Sequence, residues 1–248
     1  MVMRGSGRLP RYTVQILLRD EVELDPAGFA QLLKRWRDDV ELLRGDADQL
    51  VLAVPTTDVP MLANIYDAAV DTYAPSLRDA LRWSPAWRER HDAVLRCRHS
   101  LIVAMTAHRP VHHASMLLAF LGVLDTALAS LADEARDTAV LHWLPSQQVM
   151  SHDRYRMLRA ELGPTGPAIN VRVASAGRPG HLLADTLGLA VLGLPDVQAV
   201  FTDRDPAEVA YQLLTCARRV FVGDRLDTGV VAGTSLYPPV RNTLTLRL

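Results

Sequence analysis

The sequence predicts an α+β fold, with mixed sheets, strand–helix–strand units and a long central helix over about residues 110–131. Three observations point there. Apolar, β-branched runs recur from Tyr12 to the C-terminus, each bounded by Gly, Pro or charged residues. Between them lie segments whose apolar residues fall at helical spacing. The two kinds alternate irregularly, without the regular rhythm of a doubly wound sheet, and no repeat or low-complexity segment intervenes.

Residues 1–10 read as a mobile tail, and Tyr12 to Leu18 as the first strand. Asp25 and Pro26 open a helix, the aspartate as N-cap and the proline at the first helical position. Phe29, Leu32, Leu33 and Trp36 follow on one face. DQLVLAVP is a second strand, stopped by Pro55. Residues 61–82 read as a second helix with Leu62, Ile65, Ala69 and Tyr73 aligned and Pro75 as a break or kink. RWSPAWRERHD reads as a connector. RCRHSLIVAMT gives a third strand, and Pro110 to Leu131 a helix apolar nearly all round, hence central. VLHWLP then returns as a strand, parallel to the third through a right-handed crossover.

ELGPTGP marks the best break between segments. After it, INVRVAS is a strand and AGRPG a turn. TLGL and DVQAVF are extended, with Gly193 and Pro195 between them. Asp205 to Glu208 is a capping box whose helix stops at Gly223, and TLTLRL is an edge or closing strand. Beyond the tail, the expected organisation is an N-terminal α+β subdomain over 11–92 and a C-terminal one over 93–248, packed as one unit.

With 248 residues, 49% of them hydrophobic, the chain can bury a large core. Its 27 basic and 28 acidic residues leave a net charge of −1, which gives no support to nucleic acid or an anionic membrane as partner. Lys34 is the sole lysine; codon bias explains this and weakens each arginine as evidence for anion recognition. Cys97 and Cys216 form neither a disulfide framework nor a CxxC site, so a reducing cytoplasm is expected. The N-terminus has no apolar signal region, and the run Met116 to Leu124 falls short of the ~18–20 residues of a membrane span.

Seven of the eight histidines lie between His91 and His152. A strand between His99 and His108 divides them, and the expected pairing sends His142 towards the His99 end and His152 towards the His108, His112 and His113 end. His108 and His112 are four apart, but Pro110 intervenes and no glutamate accompanies them as in an HExxH zinc helix. Solvated or locally bonded histidines are the simpler reading; the alternative is a metal held by His108, His112 and His152. Arg78, Arg82, Arg88, Arg90, Arg96 and Arg98 interleave with Trp83 and Trp87, a mixture that could stack bases or clamp phosphate, although Asp79, Glu89 and Asp92 dilute it. SAGRPGH follows a strand as a phosphate loop would, but lacks the GxxxxGK[ST] and GxGxxG spacings. There is no GxSxG elbow. Cys97, beside Arg96, Arg98 and His99, could hold a lowered thiol pKa, yet at the head of a buried strand it is most simply a small core residue.

TLGLAVLGLPDVQAVF followed by DPAEVAYQLL, together with CRHSLIVAM and VLHWLPS, resembles the bacterial domain of unknown function family number four-two-six-one. The motif order matches from about Arg96 to the C-terminus, with a T-x-G-L…G-x-P-[DE] pattern at its centre. The resemblance implies a bacterial, cytoplasmic α+β protein and no catalytic residue set. Family members look like accessory proteins, some encoded near secretion or toxin systems.

No catalytic constellation stands out, so the expected function is a non-enzymatic interaction protein, immunity-like or secretion-associated. Its partner would be another protein, with a homo-oligomer left open and no cofactor. Trp83, Trp87 and Arg88 are residue types enriched at interface hot spots and are the expected contact residues. The alternative is a metal-dependent hydrolase using His108, His112 and His152. A third reading is a ligand sensor built on SAGRPGH.

Overall fold

A computed structural model describes residues 11–55, 60–84, 87–107, 111–224, 230–234 and 242–246. The tail at 1–10, Pro85, His108 and Pro110 lie outside them. In chain order the first elements are β1 (Arg11–Leu18), α1 (Pro26–Trp36), β2 (Glu41–Gly45), β3 (Gln49–Val54), β4 (Met61–Ala69), α2 (Pro75–Arg82), α3 (Arg90–Leu95) and β5 (His99–Ala107). Then come α4 (His113–Ser130), α5 (Asp133–Asp137), β6 (Val140–Trp143), β7 (Gln148–Ser151) and α6 (His152–Leu162). The last third contains β8 (Asn170–Ser175), β9 (Leu182–Leu187), β10 (Asp196–Phe201), α7 (Pro206–Val222), β11 (Val230–Thr234) and β12 (Asn242–Leu246).

Two sheets result, and the fold is α+β. The larger is antiparallel throughout, in the order β2-β3-β4-β5-β1-β6-β7. The smaller runs β11-β12-β10-β9-β8 and pairs β10 with β12 in parallel. β5 and β6 flank β1 and both oppose it, so the strand–helix–strand unit through α4 does join parallel strands, with β1 inserted between them. β12, which contains the TLTL of the expected last strand, is therefore interior rather than an edge, since β11 lies outside it.

Tyr12, Val14 and Ile16 on β1 and Leu101, Val103 and Met105 on β5 point into one apolar core with α1 and α4. α7 covers β8, β9 and β10, touches α4, and adds Val209, Leu213 and Phe221 to the same core. α4 is thus enclosed by both sheets' helices, which is why its composition carries no amphipathic contrast. At 18 residues and mean hydropathy 1.4 it is long and apolar enough to cross a bilayer, more so than its nine-residue apolar centre suggested. Here just over half of that helix is buried in protein, with Leu117, Phe120, Leu121 and Leu124 wholly inside and Leu118 exposed. Gly122 lets Trp36 of α1 approach, since a Cβ there would lie 1.9 Å from the indole.

Several expectations require correction. Residues 61–82 are not one helix: 61–69 is β4, and α2 begins only at Pro75. Leu62 and Ile65 satisfy a helical spacing, but on β4 Met61, Ala63 and Ile65 face the core and Leu62 the other side. The connector after Trp83 contains α3, and β2, β7 and α6 were not foreseen. The expected boundary at 92/93 falls inside α3, and strands from both sides of it interleave in the larger sheet. The chain passes from one sheet to the other near ELGPTGP, between α6 and β8.

Candidate functional site

The expected contact residues separate. Trp83 is buried at 9% exposure, Trp87 is half-buried, and Arg88 is exposed. Trp83 lies between two guanidinium groups, Arg82 at 4.7 Å and Arg172 at 5.3 Å from its ring centroid. Its carbonyl accepts from Asn170 Nδ2 at 3.1 Å. It therefore packs α2 onto the smaller sheet and is not an exposed anchor. Of the neighbouring arginines, Arg90 donates to the Leu81 and Trp87 carbonyls and Arg98 to those of Leu95 and Cys97.

The histidines do not assemble as the metal reading requires. β7 pairs antiparallel with β6, Ser151 opposite Val140, which places His152 at the Ser100 end of the sheet and not at the Ala107 end. The expected direction assumed a chain continuing past VLHWLP; the β6–β7 hairpin reverses it. α6 also meets α4 at Asp125, which is thirteen residues, or ~20 Å of helix, from His112. His108 lies outside the described residues. Among the described residues no three His, Cys, Asp or Glu side chains converge as metal ligands. His113 places Nε2 2.6 Å from the Phe221 carbonyl at the end of α7, a packing role.

His142 lies level with Ile102, its Nδ1 2.7 Å from Gln15 Oε1; that amide oxygen only accepts, so Nδ1 carries the proton. Nε2 faces the Ser76 backbone without a hydrogen bond of good geometry. Burial pushes the imidazole pKa down to about 4, the Ser76 backbone opposing in part. Because the folded value lies below the ordinary 6.5, the unfolded chain takes the proton first as pH falls. This stability is complete above pH 6.5 and is lost towards pH 4. Between pH 7.5 and 5 the loss from this group is expected to be about 2 kcal/mol. Urea unfolding of His142→Gln should show a pH dependence flatter by that amount; an unchanged slope would mean that the imidazole is hydrated in the folded state.

Cys97 is fully buried in the second apolar cluster, and desolvation, outweighing Arg19, Arg96 and Arg98, pushes its thiol up to about 11. It is a core residue without nucleophilic character at neutral pH. SAGRPGH is the tip of the β8–β9 hairpin, Ala176 N–H bonding the His181 carbonyl at 2.9 Å. No helix follows it, so the loop lacks the helix N-terminus that a strand–loop–helix phosphate site uses.

Two further features compete for a role. Across the smaller sheet, Arg172, Asp185 and Gln198 occupy one row of facing residues, Arg172 and Asp185 joined by bonds of 3.0 and 2.6 Å at about 3% exposure. This buried ladder closes the junction of the sheets; it is a structural feature. A groove of about 720 Å³ runs between α1, α4 and α6 past Trp36, Leu118 and Arg159. Of its three arginines, Arg37 and Arg159 are already paired, with Asp39 at 2.5 Å and Asp125 at 3.1 Å, and Arg35 is exposed at its edge. Asp125 also accepts from the Tyr155 hydroxyl.

The remaining surface is the face of the larger sheet turned away from α4. α2 and α3 cover it only over β1, β6 and β7, through Leu77, Leu81 and Val94 against Leu17, Val140 and Val149. The rest is open. Its first row is Gln49–Tyr66–Ile102–Gln15 and its second Val51–Asn64–Ala104–Thr13. A third row has Ala53–Leu62–Thr106 and ends on β1 at Arg11. Of the others all are partly exposed except Ala104, and none is charged. A solvated antiparallel face ordinarily alternates core residues with polar and charged ones. Among the described residues its charges lie at the margin, Glu41 and Arg44 on β2 and Arg11 where β1 begins. A charge-depleted centre with a charged rim and an aromatic residue in the middle is the composition of a protein interface.

No family model, curated protein or solved structure matches the chain.

The family resemblance therefore stands on its motifs alone. Sequence reasoning missed the open face because the helix assigned to 61–82 hid β4, its central strand. The signal that could have found it is the period-two pattern of MLANIYDAA, whose alternate residues Leu62, Asn64, Tyr66 and Ala68 are uncharged.

Proposed function

We propose that this is a non-enzymatic interaction protein that binds a folded protein partner through the charge-poor open face of its larger sheet. The observation that carries the reading is the scarcity of charge across three rows of residues spanning β3, β4, β5 and β1, in which Arg11, at the corner where β1 begins, is the only ion among the described residues. Hydrogen-bonding amides and hydroxyls among Val51, Leu62, Tyr66 and Ile102 suit a surface that is desolvated on binding without stranding an ion. The motif resemblance supports an accessory role near toxin or secretion systems, immunity-like or secretion-associated. Of the expected contact residues, the exposed Arg88 and the half-buried Trp87 remain available at some distance along the same side of the sheet. The hydrolase reading is weakened by the placement of His152, which the β6–β7 hairpin carries away from His112.

Native mass spectrometry of the untagged chain drawn gently from its host tests this reading. A discrete protein adduct is expected with the wild-type chain, and Ile102→Arg is expected to abolish it. Trp87→Ala and Arg88→Ala should weaken it less. An adduct indifferent to Ile102→Arg would overturn the assignment of the face. A chain isolated alone with a stoichiometric metal would replace the interaction reading with the hydrolase.

A further inference from the structure

We infer that the occupant of the open face is a second copy of this chain, docked face to face about a two-fold axis parallel to the strands. This rests on the reading of the face as the interaction surface and names its partner. The shape argues for it first. α2 and α3 stand on the same side of the sheet as the open rows, over β1, β6 and β7, so the surface is a step with a flat floor and a wall one helix thick. Packed sheets lie ~10 Å apart, close to the thickness of a helix layer. An axis along the strands brings the two floors together and sets each wall beyond the partner's β2 edge. An axis across the strands would stack wall on wall and hold the floors apart.

Charge argues for it second. A partner presenting ions to the centre of this floor would leave them buried without counter-charges, whereas the floor itself carries charge only at one corner, at Arg11 where β1 begins. Its amides, Gln15, Gln49 and Asn64, each donate and accept, so identical groups can pair across the axis. The rims differ in charge. β2 brings Glu41 and the 51% exposed Leu43 towards the partner's wall, its Arg44 being already bridged to Asp46 at 2.9 Å. On that wall α2 carries Arg78, Arg82 and Asp79 behind the 81% exposed Tyr73, so the acid of one rim meets an excess of base on the other.

Four strands ~4.8 Å apart and three rows ~6.8 Å apart give a floor of about 400 Å², or about half of the ~800 Å² per partner of a standard stable interface. Both floors together, about 800 Å², fall in the size class of weak, transient contacts, so the expected Kd is micromolar.

Sedimentation equilibrium of the purified full chain, from roughly 1 to 200 µM, tests this range. The wild-type chain is expected to pass from monomer to dimer. Ile102→Arg and Asn64→Arg, each checked for native far-UV circular dichroism, should weaken association at least ~tenfold. Thr106→Arg, at the margin of the floor, serves where the central substitutions disturb folding. Leu43→Glu should weaken it by less. A wild-type chain that stays monomeric throughout would overturn the second-copy proposal, as would a dimer that tolerates both central arginines. The two readings fail separately: a monomeric pure chain that still carries an Ile102-dependent adduct from its host refutes only the second copy, and an adduct indifferent to Ile102→Arg refutes the face itself.

Discussion

Asp185→Ala is expected to destabilise the protein by about 3–5 kcal/mol, because it leaves the Arg172 guanidinium buried without its carboxylate. Arg172 would keep its stacking on Trp83 and a contact of 3.4 Å with Gln147 Oε1, neither of which replaces a buried counter-charge. For a chain of this size the loss corresponds to a fall in Tm of about 10 °C. The same pair replaced together, Arg172→Met with Asp185→Leu, should recover most of the stability, since well-packed apolar residues avoid the desolvation of both ions. Urea unfolding of the single and double variants separates the cases. A single substitution costing under about 1 kcal/mol would show that water reaches the guanidinium.

Trp143→Ala should cost a similar amount, about 3–5 kcal/mol, through the cavity it opens in the main core. Trp143 is fully buried, edge-on to Tyr12 at 5.8 Å and to Phe120 at 6.0 Å, and stacked on Tyr155 at 6.3 Å. The loss should be accompanied by a collapse of the near-UV circular dichroism of this aromatic group. Tyr12→Phe makes the opposite comparison. Its hydroxyl is buried without a hydrogen-bond partner, and burial holds it well above the ordinary tyrosine pKa. Removing that hydroxyl deletes an unsatisfied polar group while retaining the ring against Phe120 at 4.6 Å, so stability should be unchanged or raised by up to about 1 kcal/mol. A loss above 1 kcal/mol on Tyr12→Phe would mean that a water bridges the hydroxyl.

Much of the chain was legible where one local signal had no competitor. Asp25 caps α1 by accepting from Ala27 N–H at 3.1 Å, and Asp205 caps α7 by accepting from Ala207 N–H at 2.9 Å. Gly193 takes the left-handed conformation, φ 77°, that the turn before β10 requires. β4 was misread because Leu62, Ile65 and Ala69 satisfy a helical spacing while Met61, Ala63 and Ile65 satisfy a strand's; local pattern could not choose between them. β7 and α6 were missed because four strand residues and a polar helix carry little periodic signal. The burial of Trp83 was missed for a related reason. Tryptophan and arginine identify themselves by type as hot-spot residues, but Trp83 is held inside by Asn170 and Arg172, more than eighty positions away.

Local chemistry was enough to fix the caps, the turn glycines, the apolar segments, the α+β class and the buried character of α4, because each depends on neighbours within a few residues. It was also enough to remove the familiar nucleotide loop and nucleophile elbow, whose spacings are absent. The tertiary arrangement settled what depends on distant pairing. Insertion of β1 between β5 and β6, and the reversal at β7, determine which histidines share an end of the sheet. The pairing of β3, β4, β5 and β1 gathers uncharged residues from four separate segments into one face. No single segment contains that face; it exists only once long-range hydrogen bonds set the register, because a shift of one residue would turn each strand's uncharged side chains inward.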